Sequence, residues 1–406
     1  MKTTTKRESL QTGRTELPRC LKLKAGRERS LKQRHPWIFS GAVESLSPGE
    51  EGEVLPVFDG EGNLIGNAMI NRRTSIVGRM VSFGDRPWRG AVEENILKAL
   101  ELRSLLFSQE KTDAYRLVNG EGDNLPGLVV DRYADLLVVQ ITTWGMEKLK
   151  GWIVDILQEK LSPKSIYEKS FSPSRRVEGL EEREGVLRGE PLEEVIVQER
   201  GMLLKVKPKE GQKTGLFLDQ REMRSLVKEF SRGRRVLNLF GYTGAFSVAA
   251  LMGGALQADT VEISLPALEN ARENLALNGF DPSKNGFIPA DVFTFLREEK
   301  LKDYGLVVLD PPAFCKSKRD LIKACRGYKD INRLTIGGLP SGSLLLTSSC
   351  SHFVDEKLFG QVVFEAAAEA GRDVRILQRH RMAFDHTVSL YHPEGEYLKS
   401  LFLEIR

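Results

Sequence analysis

The chain has 406 residues with a net charge of +4, and it is 41% hydrophobic and 29% charged. This is the composition of a soluble globular protein with room for two or three domains. No apolar stretch approaches the roughly 18 residues of a membrane span, and the N-terminus lacks the apolar centre of a signal peptide, so we expect a cytoplasmic protein without a membrane partner. Four cysteines without a C-x-x-C pair and only five histidines argue against a zinc site or a disulfide framework, so we expect no bound metal.

Positive charge is concentrated at the N-terminal end of the chain. Residues 1–40 contain eleven Lys or Arg against three Glu, a net charge of +8, which leaves the remainder at −4. Such clustering is typical of a surface that binds a polyanion, although a solvated basic tail has the same composition. We expect residues 1–16 to be a disordered basic segment.

The next segment, residues 17–85, consists of short apolar runs separated by Gly- and Pro-containing turns, which predicts a small β-barrel. Its start, LKLKAGRERSLKQRHPWIFSGAV, is basic, then aromatic, then Ser-Gly. This order resembles the beginning of a PUA domain, a compact RNA-binding barrel. Lys22, Arg27 and Arg34 are candidate RNA contacts, whereas we expect Trp37 and Phe39 to lie in the core.

Residues 86–192 predict a middle α+β domain. The expected elements are a helix over 91–111, a Gly- and Asn-rich loop from Arg116, a hairpin of 128–131 with 136–141, a helix over 146–160, a strand over 165–169 and an exposed connection over 175–190.

Residues 193–406 alternate strands with helices after an initial hairpin of 195–199 with 202–206, which predicts a parallel doubly wound α/β sheet. At its centre is RVLNLFGYTGAFSVAALMGGALQADTVEIS, residues 235–264. An apolar strand, a glycine turn and a small-residue helix are followed, about twenty residues later, by Glu262, whose carboxylate suits ribose hydroxyls.

The glycine turn distinguishes between nucleoside cofactors. Tyr242 and Thr243 stand where a dinucleotide loop has closely spaced glycines, which disfavours a pyrophosphate and therefore a dehydrogenase. S-adenosylmethionine has no phosphate, and its ribose still requires the acid. The candidate cofactor-binding residues in this strand, its turn and the neighbouring strand ends are Asn238, Phe240, Gly241, Thr243, Gly244, Glu262, Asp291 and Asp310.

Two further strand ends carry reactive side chains. Asp310-Pro311-Pro312-Ala313-Phe314 follows the fourth strand of the sheet, and the two prolines stiffen this tip. Cys350 follows the fifth strand, so its thiol and the Asp310 carboxylate are expected in the same cleft. A thiolate that adds to C6 of a pyrimidine makes C5 nucleophilic enough to accept a methyl group. The alternative for Cys350 is a buried small apolar residue.

Several motifs in consistent order carry a resemblance over nearly the whole chain: LVNGEGDNLPGLVVDRY, GQKTGLFLDQR, VLNLFGYTGAFSVAA, DPPAF, ACRGYKDIN, SSCS and HPEGEYLK. The chain resembles the RlmI-type large-subunit rRNA cytosine-C5 methyltransferases, which combine a PUA domain, a middle α+β domain and a class I (Rossmann-like) methyltransferase domain. The resemblance implies that Cys350 is the C6 nucleophile and that Gln220 lies near the methionine end of S-adenosylmethionine. It also implies that Asp310 and Phe314, with Pro311 and Pro312, hold the target base. One departure is Ala313, where many RNA cytosine-C5 methyltransferases carry a second cysteine.

These observations together predict an S-adenosylmethionine-dependent enzyme that forms 5-methylcytosine in large-subunit rRNA and exists as a monomer or homodimer. Two other functions remain open. An acid-Pro-Pro tip also suits methylation of an amino or ring nitrogen, which needs no thiol. A non-catalytic RNA-binding assembly factor would keep the cofactor only for its structure.

Overall fold

The computed structural model describes residues 19–406. The predicted disordered segment, residues 1–16, lies outside this range. Within it, no helix is long and apolar enough to cross a membrane.

A six-stranded sheet occupies residues 21–83 and surrounds its own apolar core. Its elements are β1 (Leu21–Leu23), α1 (Arg29–Lys32), β2 (Trp37–Phe39), β3 (Val43–Leu46), β4 (Val54–Phe58), β5 (Leu64–Ile70) and β6 (Ile76–Phe83). The strand order is β2-β6-β5-β4-β1-β3, and all pairs except β1 with β4 are antiparallel. The prediction that Phe39 is a core residue is wrong, because its side chain alternates outwards and is 49% exposed. Trp37 is half-buried and also lies outside the barrel core, and its indole N–H donates to Glu121 at 2.9 Å.

A second, five-stranded sheet follows, with strand order β11-β10-β9-β8-β7. Its elements are α2 (Trp88–Phe107), β7 (Ala114–Asn119), β8 (Leu128–Tyr133), β9 (Leu136–Ile141), α3 (Trp144–Leu161), β10 (Ser165–Ser170), α4 (Pro173–Val177) and β11 (Arg183–Gly189). Two segments differ from prediction. The first four residues of the expected loop, 116–119, belong to strand β7, which buries Leu117 and Val118, so the loop begins at Gly120 instead. The segment expected to be an exposed connection forms the end of α4 and the edge strand β11. Most side chains of β11 face solvent, so its sequence lacks the alternation of apolar and polar residues that indicates a strand.

The C-terminal region begins with the predicted hairpin, β12 (Val195–Glu199) and β13 (Met202–Val206), and continues with α5 (Arg221–Phe230). The hairpin bridges the two larger units, because Val197 and Leu204 pack between Tyr133 and Tyr167 of the five-stranded sheet and Val248 in the helix that follows the glycine turn. The packing is continuous across this junction.

A seven-stranded sheet forms the rest of the chain, in the order β16-β15-β14-β17-β18-β20-β19. Its elements are β14 (Arg235–Leu239), α6 (Ala245–Met252), β15 (Gln257–Val261), α7 (Leu265–Leu277), β16 (Phe287–Ile288), α8 (Val292–Glu298), β17 (Leu306–Leu309), α9 (Leu321–Gly338), β18 (Ser343–Ser349), α10 (Glu356–Glu369), β19 (Val374–His380) and β20 (Lys399–Ile405). The doubly wound sheet is confirmed, with one difference from the all-parallel prediction: β20 runs antiparallel to both neighbours.

The strand order reverses beside β14, and this reversal positions the site. The register pairs Leu239 at the end of β14 with Val261 on one side and with Leu309 on the other, and Leu309 in turn pairs with Thr347. The turn after β14, the Asp-Pro-Pro tip after β17 and the end of β18 therefore meet at one edge. Ligands of open α/β sheets bind at the strand carboxyl ends where the order reverses.

Candidate active site

A cleft of about 370 Å³ lies at this edge of the sheet. Nine of the predicted site residues line it: Gln220, Phe240, Glu262, Asp291, Asp310, Pro311, Pro312, Phe314 and Cys350. Residues that are distant in sequence are thus gathered around one space.

The turn after β14 has a backbone that few residues adopt. Phe240 and Tyr242 have left-handed φ values of 56° and 46°, which are costly for side chains with a Cβ and concentrate at functional sites. Glycine is required at position 241, between these two residues, and at position 244, after them. A Cβ atom on Gly241 would lie 2.3 Å from the Thr260 methyl group. Gly244 has a left-handed φ of 74°, and a Cβ atom there would lie 2.7 Å from the Ala271 side chain of α7. The turn is therefore held tightly against β15 and α7.

The carboxylate of Glu262 is fixed by the same turn. Its two oxygens accept hydrogen bonds from the backbone N–H groups of Tyr242 and Ser264, each at 3.0 Å. Asp291 caps helix α8 by accepting from the Thr294 N–H at 3.0 Å, as its sequence position suggests. Both carboxylates line the cleft and keep lone pairs free for a ligand.

Four predicted cofactor residues lie close to the cleft but do not line it. Asn238 is 1% exposed and donates to the Ser247 hydroxyl at 3.0 Å, within the packing of β14 on α6. Thr243 lies in an adjoining depression with Asn270. Gly241 and Gly244 act through the backbone of the turn, so contact of these four residues with the cofactor stays a prediction.

The predicted RNA contacts on the barrel are separate from the cleft. Lys22 forms an ion pair with Glu44 at 3.1 Å, Arg27 is exposed in the turn after β1, and Arg34 is exposed after α1. These cations belong to a different surface from Asp310 and Cys350.

Asp310 is partly buried and accepts a hydrogen bond from the Gln220 amide at 2.9 Å. Burial and the negative charge of nearby Asp219 raise the pKa of Asp310 to about 7, against the opposing effects of Lys213 and the Gln220 amide. For Asp219 burial also acts to raise the pKa, but the charges of Lys213 and His386 and a 2.6 Å hydrogen bond from the Tyr397 hydroxyl outweigh it and hold the pKa well below its usual range. The site therefore combines an ionised carboxylate with one that is close to half-protonated at neutral pH.

Replacing Asp310 with asparagine is expected to stabilise the protein at pH 8. Because the pKa rises from 3.8 to about 7 on folding, the ionised form is disfavoured in the folded state. The cost is absent below pH 4 and grows until the pH exceeds 7. The isosteric amide removes it, so we expect roughly 1–3 kcal/mol of added stability, discounted for partial contact with water. Urea denaturation at pH 8 and pH 4 measures the difference, and an equal effect at both values would contradict the raised pKa.

The Cys350 thiol lies at the end of β18, half-buried, with Sγ 3.9 Å from the carbonyl oxygen of Pro311. Burial raises its pKa to about 11. Lys213 and Lys399 act to lower it, and the Asp310 and Asp219 carboxyls act to raise it further. The resting thiol is therefore protonated at neutral pH and faces the same space as Asp310.

The other described cysteines differ from Cys350 in their surroundings. Cys315 is 3% exposed, and its thiol donates to the Ser317 carbonyl at 3.2 Å. Cys325 packs from α9 against the apolar core. Cys20 lies in the barrel sheet region. None of these three lines the cleft.

Three charged or polar side chains near the site were not assigned from the sequence. Lys213 lines the cleft, with Nζ 3.4 Å from Asp219 and 4.6 Å from the centre of the Phe217 ring. Tyr397 donates to the same carboxylate. The Lys399 ammonium donates to the Ser351 carbonyl at 2.6 Å and so braces the loop after Cys350, and burial lowers its pKa to about 8. All three residues lie in the motifs GQKTGLFLDQR and HPEGEYLK, and membership of these motifs is the sequence feature that could have identified them.

Aromatic rings form one wall of the cleft. Phe314 packs against Tyr328 at 4.6 Å and Phe293 at 5.7 Å between ring centres, with Phe240 at 6.4 Å. Phe240, Phe293 and Phe314 all line the cleft. Flat apolar surfaces of this kind suit planar heterocycles.

The residues present fit S-adenosylmethionine. Two buried acceptors at the cleft, Gln220 Oε1 and Asp219 Oδ1, have no hydrogen-bond partner among residues 19–406, and unsatisfied acceptors beside a carboxylate suit an ammonium group. Glu262, Asp291 and Phe293 line the same cleft, and the chemistry of two carboxylates and a ring is compatible with the ribose and adenine of this cofactor. No group of three or more His, Cys, Asp or Glu that could hold a metal ion occurs in the same described range.

Comparison with known proteins agrees with this geometry. Residues 179–380 match the model of an S-adenosylmethionine-dependent methyltransferase family, and residues 21–83 match a PUA-like domain. The crystal structure of SMU.776 complexed with SAH has the same fold, with a TM-score of 0.82 at 23% identity over 95% of this chain and 99% of that one.

Two relatives found by sequence share a higher sequence identity with this chain than that structure does. Ribosomal RNA large subunit methyltransferase I of Aeromonas salmonicida is 41% identical over 94% of this chain and 98% of its own length. The protein of the same name from Alteromonas mediterranea is 40% identical over the same shares. The chain therefore belongs to the ribosomal RNA large subunit methyltransferase I family and is an S-adenosylmethionine-dependent methyltransferase with a PUA-like domain.

Proposed function

We propose that this protein methylates C5 of a cytosine in large-subunit ribosomal RNA through a covalent bond between Cys350 and C6 of the base. The observation that carries the proposal is the thiol of Cys350 in the same cleft as Asp310, beside the carbonyl of Pro311. The names of the sequence relatives support ribosomal RNA as the substrate.

The chemistry explains the need for a thiol. C5 of cytosine is a poor nucleophile, and addition of a thiolate to C6 turns it into an enamine-like carbon. A methyltransferase that acts on nitrogen has no use for a nucleophilic cysteine at this place. The location of Cys350 at a strand end supports this role, because a flipped base would reach it from the open edge of the sheet.

Asp310 complements the Watson–Crick edge of cytosine when it is protonated. Its raised pKa, about 7, keeps a neutral carboxyl group available at physiological pH. The hydroxyl then donates to N3 while the other oxygen accepts from the N4 amino group. Donation to N3 withdraws electrons from the ring and makes C6 more open to attack by the thiolate.

The thiol must lose its proton before it reacts, because its pKa is about 11 in the free protein. Lys213 and Lys399 are the cations that favour the thiolate. The Sγ–C6 bond then forms as the C5–C6 double bond opens towards C5, and S-adenosylmethionine, when bound, would supply the methyl group to C5 and leave as the neutral thioether. Loss of the C5 proton to solvent then restores the C5–C6 double bond, breaks the Sγ–C6 bond and returns Cys350 as a thiolate.

Other residues would bind the two ligands. We assign Glu262, Asp291 and Gln220 to the cofactor, with the turn from Phe240 to Gly244 as its platform. Phe314 and the two prolines would hold the target base. Lys22, Arg27 and Arg34 would contact RNA phosphates, which predicts weaker binding as salt concentration rises.

A covalent trap tests the proposal. Large-subunit rRNA transcribed with 5-fluorocytidine in place of cytidine offers C5 with a fluorine that cannot leave as a cation. With S-adenosylmethionine, the wild type is expected to form an RNA–protein complex that survives SDS denaturation, whereas the Cys350→Ala variant should form none. On unmodified rRNA, bisulfite sequencing identifies the methylated cytosine.

The outcomes separate the rival functions. A nitrogen methyltransferase would label unmodified rRNA from methyl-labelled S-adenosylmethionine but would form no trapped complex. An assembly factor without catalysis would neither label rRNA nor be trapped. Either result would overturn the proposal.

A further inference from the structure

A second pocket, of about 590 Å³, lies where the barrel meets the segment before β20. The barrel side contributes Lys32, Arg34 and His35, and the segment contributes Leu390 and Tyr391. This pocket combines side chains from the N-terminal and C-terminal regions of the chain and shares no lining residue with the catalytic cleft.

The apolar side chains here are turned towards solvent. Leu390 is 95% exposed, Tyr391 is 54% exposed and Phe39 is 49% exposed. Phe39 lies 6.4 Å from the His35 ring and so extends the same surface. A cluster of exposed rings and apolar side chains on a folded protein marks a binding site more often than chance exposure does.

Packed aromatic side chains lie next to this surface. The His392 ring is 4% exposed and lies 4.4 Å from the Trp37 ring and 5.6 Å from the His35 ring. Its Nε2 is buried without a hydrogen-bond partner in the described chain, and the nearest carboxylate, Glu394, is 3.9 Å away. Buried polar atoms in native proteins are nearly always paired, so this one is an exception. His392 does not line the pocket itself but packs against His35, which does.

Cations flank the rings. Arg34 makes no ion pair within residues 19–406, and its guanidinium lies 5.6 Å from the centre of the Phe83 ring. Its φ of 67° is left-handed, a conformation that an arginine adopts at a cost. Lys32 also lines the pocket and pairs with Asp59 at 3.0 Å. Positive charge beside exposed aromatic rings is the combination that binds single-stranded nucleic acid.

The pocket is connected to the catalytic cleft through one short segment. Tyr391 lies in the pocket, whereas Tyr397 bonds to Asp219 and Leu398 lines the cleft. The start of the segment is anchored, because the Asn119 amide donates to the Thr387 carbonyl at 2.8 Å. A single RNA strand bound along this segment would extend from the pocket towards the cleft.

We propose that this second pocket binds one unpaired nucleotide of the RNA substrate, with its base stacked on Tyr391 and its phosphate on Arg34. The inference rests on the proposed function for the identity of the RNA. The pocket would hold a nucleotide near the target and so orient the strand that delivers the cytosine. Bases stack on aromatic side chains regardless of their identity, so the site would fix position rather than sequence.

Fluorescence anisotropy with a labelled 12-nucleotide single-stranded RNA of mixed sequence, without S-adenosylmethionine, tests the pocket. Tyr391→Ala is expected to raise the Kd about tenfold or more, on the scale of one lost base stack. Arg34→Gln should raise the Kd and lower the slope of log Kd against log salt by about 0.7, the value for one phosphate contact on a single strand. Phe364→Ala removes a ring that is 65% exposed on α10 and should bind as the wild type does.

Two measurements keep the result interpretable. All variants should bind S-adenosylmethionine as the wild type does, since the changed side chains are exposed and lie outside the cleft. Unchanged Kd values for both pocket variants would overturn the inference and leave the surface to a protein partner. The assay needs no methyl transfer, so failure of the covalent trap would refute cytosine-C5 chemistry without affecting this test.

Discussion

The Cys350→Ala variant is expected to bind S-adenosylmethionine like the wild type and to transfer methyl groups at least about 10⁴-fold more slowly. Losses of this size follow removal of a catalytic nucleophile. The binding site should survive, because Glu262 and the glycine turn are held by their own hydrogen bonds, and the one hydrogen bond of the Cys350 thiol within residues 19–406 is the 3.9 Å contact with the Pro311 carbonyl. Equilibrium dialysis measures cofactor binding, and labelled methyl transfer to rRNA measures the rate.

Cys325→Ala is the matched control for this prediction. It deletes the same atom from a half-buried cysteine on α9, outside the cleft. The control should keep most of the activity, with a modest loss of stability for the small cavity. Retention of more than a tenth of the rate by Cys350→Ala would assign the thiol to packing and favour nitrogen as the methyl acceptor.

Much of the fold was predictable because the central strands are short, wholly buried runs. In β17 all four residues are buried, and a rigid Asp-Pro-Pro follows, so both the strand and its end are visible in the sequence. The same rule located Cys350 after β18. Strand β11 escaped prediction because it is an edge strand with mostly exposed side chains, stabilised by its pairing with β10 rather than by any local pattern.

The parts of the site that the sequence missed depend on long-range contacts. Tyr397 reaches Asp219 across 178 positions of sequence, and nothing local to either residue predicts that they meet. Phe39 was misplaced for a related reason. An aromatic residue in a strand of a small barrel is usually internal, but here Ile38 is the residue of β2 that enters the core. The alternation of the strand therefore turns its neighbours Trp37 and Phe39 to the opposite face.

A buried ion pair lies at the start of the segment that carries Tyr391 and Tyr397. Asp385 and Arg221 are both 0% exposed, and the two oxygens of the carboxylate lie 3.0 Å from two guanidinium nitrogens. Asp385 also accepts from the Arg116 backbone N–H of β7 at 2.8 Å, and its own carbonyl accepts from Arg103 of α2 at 2.6 Å. This residue thus joins the five-stranded sheet, α2, α5 and the segment before β20.

Asp385→Ala is therefore expected to lower the free energy of unfolding by about 3–5 kcal/mol at pH 7, because it leaves a buried guanidinium without its main partner. Burial opposes ionisation of Asp385, but Arg221 and His386 hold its pKa far below the ordinary value. Its contribution is present above pH 4 and is lost as the pH falls further. Urea denaturation measures the change.

Asp373→Ala provides the control, since Asp373 pairs with Arg375 at 3.0 Å with both side chains more than half exposed, and such pairs contribute less than about 1 kcal/mol. If the two variants lost equal stability, the buried pair would not anchor the segment. If Asp385→Ala is destabilised as expected, both RNA binding at Tyr391 and methyl transfer should fall together at temperatures where the rest of the protein is still folded. Both sites use the same stretch of chain, and its attachment at Asp385 sets the position of each.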